Sequence, residues 1–137
     1  MKKQALVLIF VVCLVLSSVS CSSGENTHIR FSIRADAKTV DGIELPAIDH
    51  DISFPKSAVE KKTVLFAILY ACDTLGYEYE REGKYHEILA SVAGRRNLPD
   101  HAWIIQASDI NGNPLTATTD TEIGEIAYLT ITYQATA

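Results

Sequence analysis

One segment alone repeats its apolar residues with the period of a helix: Leu65, Ile68, Leu69, Cys72 and Leu75 recur at spacings of three and four. That spacing gathers them on one face, which another element must cover. Thr63 offers a hydroxyl to cap the first turn, and Gly76 offers the left-handed residue on which helices commonly end. Ser57-Ala58-Val59-Glu60 also has the form of a capping box, so the helix is expected to start at Thr63 or about a turn and a half earlier.

The rest of the chain beyond residue 26 reads as strands and turns. His28–Ala35 alternates without a break, with Ile29, Phe31, Ile33 and Ala35 on one face. Ile48–Phe54 is a second extended run, and Pro55, which cannot donate to a ladder, suits an edge or an exit. Further extended runs are expected at Tyr85–Val92, Ala102–Ala107 and Ala127–Tyr133. Asp41-Gly42 and Asn111-Gly112-Asn113-Pro114 are turn signals, and the charged, aromatic stretch Tyr77–Tyr85 reads as a loop facing water. Strands, one helix and then strands, with no repeated strand–helix–strand unit, predict an α+β domain in which one helix covers one face of a small mixed sheet.

The chain begins with Lys2 and Lys3, an apolar run Ala5–Leu16 and then small residues. A run of this length suits an export signal; a membrane-spanning helix needs about 20 apolar residues. Ser18-Val19-Ser20-Cys21 resembles the lipobox of bacterial lipoproteins, with Ser18 where an aliphatic residue is usual. That resemblance implies cleavage before Cys21, fatty acylation (palmitate) of its thiol, and attachment to a bacterial membrane outside the cytoplasm. An ordinary secretory signal cut near Ser20 is the alternative. Cut before Cys21, the expected organisation is a signal peptide at 1–20, a lipidated Cys21 with a flexible tether at 21–26, and one domain at 27–137. Two or three acyl chains on one cysteine would make the membrane the first partner, because each buried methylene contributes about 0.8 kcal/mol.

Net charge is −5 for the whole chain and becomes −7 once Lys2 and Lys3 leave with the signal. Nucleic acid is therefore not an expected partner, since its affinity comes from neutralised phosphates. Arg30, Arg34, Lys61, Lys62, Arg81, Arg95 and Arg96 form no basic block and are expected on a solvated surface. With Cys13 in the signal and Cys21 as lipid site, Cys72 is the one cysteine left in the domain and has no internal partner. On the helix stripe it is expected to act as a small core hydrophobe.

His28, His50, His86 and His101 are scattered, no Cys-x-x-Cys is present, and neither a nucleophile elbow nor a phosphate-cradling glycine loop occurs. No catalytic residue, metal site or cofactor is expected. Asp49-His50-Asp51 is the only local cluster that could hold a cation, with a solvated strand edge as the alternative; on a strand Asp49 and Asp51 would share a face and His50 the other.

The helix Thr63-Val64-Leu65-Phe66-Ala67-Ile68-Leu69, the strand Tyr85…Ser91-Val92-Ala93-Gly94, Trp103, Asn111-Gly112 and the closing Gly124-Glu125…Tyr133 resemble a bacterial domain family related to the C-terminal domain of transcobalamin and intrinsic factor. The resemblance spans about residues 52–133. It implies a β-grasp-like fold, a mixed sheet wrapped around one main helix, and a non-catalytic binding module for a corrinoid or another small ligand. Carried over by position, Trp103 would be an aromatic contact, Tyr85 a second aromatic wall and Asn111 a hydrogen-bonding turn. Trp103 is farther from Asn111-Gly112 than the family spacing allows, which implies a longer hairpin containing Asp109 and Ile110. For Trp103 the alternative is a core anchor packed against the helix. The alternative function is an interaction subunit of a cell-envelope complex that uses an exposed sheet edge.

Overall fold

The computed structural model describes residues 27–136, so the expected signal, the lipid site Cys21 and the tether to residue 26 lie outside the described residues. The elements in chain order are β1 (His28–Ala35), β2 (Lys38–Val40), β3 (Ile43–Leu45) and β4 (Ile48–Pro55), then helix α1 (Val64–Leu75). After it come β5 (Tyr79–Glu82), β6 (Ile88–Val92), β7 (Arg95–Arg96), β8 (His101–Ser108), β9 (Pro114–Leu115) and β10 (Tyr128–Ala135). The fold is α+β, mostly sheet with one α-helix among the described residues.

The main sheet has the order β4-β1-β10-β8-β9. Its central pair, β1 and β10, is parallel, although these strands are the first and last described; the other pairings are antiparallel. Register follows alternation. Ile29, Phe31 and Ile33 on β1 lie beside Leu129 and Ile131 on β10, all fully buried, while Arg30, Ser32 and Arg34 face the other way. A slip of one residue would turn that apolar set into water.

Helix α1 covers the apolar face. Val64, Ala67, Ile68, Ala71 and Cys72 are fully buried, and burying a side chain such as Ile68 stabilises the fold by about 1.5–3 kcal/mol. The helix starts at Val64 because its first amide donors find acceptors there: the Thr63 hydroxyl accepts from Phe66 at 3.4 Å, and the carbonyls of Thr121 and Thr119 accept from Val64 and Leu65 at 2.8 and 3.0 Å. The earlier start at Ser57 is not taken. Lys56–Ala58 forms a single 3-10 turn, and Lys61 adopts a left-handed φ of 63° that no helix continues through. At the other end Gly76 is left-handed at φ 79°, and the amides of Gly76 and Tyr77 donate to the carbonyls of Asp73 and Cys72, the paired bonds of a Schellman cap.

Two smaller sheets complete the structure, where the sequence predicts one. Asp41 and Gly42 both take positive φ, 50° and 78°, closing β2 and β3 into a two-residue hairpin. β5, β6 and β7 form a separate three-stranded sheet, and Ala93-Gly94 makes the same kind of turn between β6 and β7. The stretch Tyr77–Tyr85 is thus not a loop throughout, since β5 lies within it. β5 escapes the alternation test because it buries no apolar face; it is held by its ladder to β6 and by Arg96, whose guanidinium spans Glu80 and Glu82. The strand expected from Tyr85 starts only at Ile88, because His86 is left-handed at φ 57°.

Candidate functional site

A groove of about 790 Å³ opens at one end of the main sheet, where β1 and β10 finish and β4 and β8 begin. Tyr133, His101, Lys38 and Arg34 line it together with Asp36 and Asp49. Tyr133 organises it. Its ring is 7 % exposed, and its hydroxyl donates to the carbonyl of Arg96 at 2.7 Å. The His101 ring stacks on it with centroids 5.7 Å apart, and Lys38 Nζ lies 5.1 Å from its centroid and 3.5 Å from its hydroxyl oxygen. His101 Nδ1 sits 3.4 Å from the Asp100 carboxylate but makes no hydrogen bond.

Arg95 stands directly behind this wall. It is 2 % exposed, which corrects the expectation that it belongs to a solvated surface. Its guanidinium donates to the carbonyls of Asp36, Pro46 and Ala93, and its Nε has no acceptor. Burial pushes its pKa below the usual guanidinium value, yet an arginine side chain stays charged in a protein. Asp36 and Pro46 flank the β2–β3 hairpin, so one side chain pins both feet of that arm.

The three residues singled out by resemblance are not gathered around one depression. Trp103 is 7 % exposed, its indole N–H donates to the carbonyl of Arg95 at 2.8 Å, and its ring packs 5.2 Å from Tyr133. It therefore backs the groove as a core anchor and presents no open face. Tyr85 is 77 % exposed and lines a separate depression of about 270 Å³ beside Phe66 and His86. Asn111 sits at the tip of the β8–β9 hairpin, where Asp109 accepts from the amides of Asn111 and Asn113, both at 2.9 Å. That hairpin does contain Asp109 and Ile110, as the spacing requires.

Asp49 and Asp51 share the solvent face of β4, as alternation predicts, and Arg34 lies between them at 2.9 and 2.8 Å. A guanidinium thus occupies the place a cation would take. His50 turns to the helix side, where it stacks on Tyr77 and hydrogen-bonds its hydroxyl. Cys72 is buried, and the loss of solvation pushes its thiol up to about 12, a poor nucleophile at neutral pH. Among the described residues, no three of His, Cys, Asp and Glu come close enough to hold a metal ion, and no helix is long and apolar enough to cross a membrane.

The chain matches no family model and no curated protein. Lys38, His101, Tyr133 and Arg95 carry no signal in the sequence as site residues: Tyr133 reads as one more inward position of a strand, and Arg95 as half of an exposed basic pair.

Proposed function

We propose that this chain is an extracytoplasmic lipoprotein, anchored to a bacterial cell membrane through acylated Cys21, whose single domain is a non-catalytic binding module of β-grasp-like form. The observation that carries the binding role is the groove at the sheet end, which has the size of a small-ligand site and combines an aromatic ring with a few polar groups. Support for the β-grasp-like form comes from chain order: a strand pair, one helix on the apolar face, and a last strand laid parallel to the first. The module resembles the carrier domain of transcobalamin and intrinsic factor, so a corrinoid is the first ligand to test.

The anchor and the groove suit one another. β1 starts at His28, next to the tether, and the groove lies at the other end of this eight-residue strand, a separation of about 26 Å. A lipid at Cys21 would hold the near end to the membrane and turn the groove outward. Calorimetry with cobalamin and cobinamide tests the corrinoid reading: saturable heat at micromolar concentration is expected, and no heat at high micromolar concentration overturns it. Mass spectrometry of the processed chain tests the anchor, which fails if the amino terminus is unmodified or starts anywhere but residue 21.

A second reading rests on β4. It is an eight-residue strand at the sheet edge, paired on one side only within the main sheet, and so is available to a partner strand. A stoichiometric protein recovered with the chain from detergent-solubilised membranes would favour an envelope interaction subunit.

A further inference from the structure

Charge around the groove is unevenly matched. Arg34 is neutralised by Asp49 and Asp51, and Arg96 by Glu80 and Glu82. Lys38 and Arg95 form no ion pair among the described residues, although they approach Tyr133 and the groove wall from two sides. Lys38 donates to the phenolic oxygen of Tyr133, at 3.5 Å. Arg95 is buried and held by three carbonyls, which solvate a cation but carry no net charge, and its Nε remains without an acceptor. A buried charge without a counterion is a rare and costly feature. His101 lines the groove, with its Nδ1 buried, free of a hydrogen bond and 3.4 Å from the Asp100 carboxylate. Of the two carboxylates in the lining, Asp49 is engaged by Arg34, and Asp36 is exposed.

We infer that this groove takes its small-molecule ligand by an anionic group, a carboxylate or a phosphate, seated against Lys38 and His101 where both pack on the buried Tyr133, with the Arg95 charge favouring it from behind. The inference deepens the binding-module reading and rests on it. Lys38 supplies the direct contact, His101 a second donor through Nε2, its Nδ1 being turned to Asp100, and Arg95 a fixed positive field that a low-dielectric surrounding screens little.

The test uses the processed, lipidated chain in neutral-detergent micelles, with inorganic phosphate and acetate titrated separately while backbone amide shifts are followed by NMR. Saturable shifts confined to residues around Lys38, His101 and Tyr133 are expected, and whichever anion saturates at the lower concentration identifies the group. Lys38→Gln should weaken that binding by about tenfold, and Lys38→Arg should retain it, with amide shifts elsewhere unchanged in both. Unsaturable shifts, shifts spread over Lys56, Lys61 and Lys84, or equal affinity in Lys38→Gln overturn the inference. If cobinamide moves the groove amides and neither anion does, the anion site fails and the binding-module reading stands. If no probe moves them, both fail.

Discussion

Cys72 is fully enclosed on the core face of α1, and its thiol is pushed up to about 12 by that burial, with Asp73 adding to it. A disulfide reagent is therefore expected to leave the folded chain unmodified under mildly alkaline conditions and to react only after denaturant unfolds it. Absorbance of the released thiolate follows this, and rapid native-state reaction would show that the helix face opens. Asp51 behaves in the opposite sense. Hydrogen bonds from Ser32 and Arg34 hold its carboxyl below the usual range, so the folded chain binds that proton less readily than the unfolded chain does. Its stabilising contribution is present above the unfolded value, near pH 4, and is lost as pH falls through the lower folded value. Asp51→Asn should flatten this acid limb in denaturant-midpoint measurements by lowering the midpoint at neutral pH, where the contribution is present, and should change little at acid pH, where it is already lost. The alternation of β4 makes the shared face of Asp49 and Asp51 legible, but nothing local to β4 indicates that Arg34, on the neighbouring strand, lies between them.

Caps make α1 the element read most directly from the sequence. Thr63 and Gly76 end it as their types predict, because capping is settled within a turn of the helix. Gly76 is left-handed, and a methyl group added there would meet nothing within 4 Å, so Gly76→Ala isolates the conformational term. It should cost about 1 kcal/mol, read as a lower urea midpoint with unchanged slope. A neutral result would mean that the cap has moved. β5 is illegible for the complementary reason. A strand with Tyr79 alone half-buried has no apolar period, and its pairing depends on β6 and on Arg96. The start of β6 is displaced by a backbone device, the left-handed His86, which leaves no mark in hydropathy.

Three parts of the molecule meet at Arg95: the two feet of the β2–β3 arm, the small sheet and the indole of Trp103. A lone two-stranded hairpin is marginal in water, so the arm is expected to depend on this clamp. Arg95→Met removes the donors to three part-buried carbonyls, those of Asp36, Pro46 and Ala93, and should cost about 3 kcal/mol. Hydrogen exchange should rise to solvent rates across residues 38–45 while β1 and α1 stay protected, and uniform loss of protection would mean that Arg95 holds the whole core instead. The alternating strands, the capped helix and the tight Asp41-Gly42 turn are all legible in the sequence, because each depends on residues within a few positions of one another. Strand order is not. The parallel pairing of β1 with β10 brings Lys38 to Tyr133 across 95 positions, and the antiparallel pairing of β8 with β10 sets His101 against the same ring. Arg95 is enclosed against the β2–β3 arm although its neighbour Arg96 reaches water. Local pattern fixes which face of a strand is apolar, but the choice of neighbour comes from packing the whole core at once. The groove, formed where four strand ends converge, exists only through that choice.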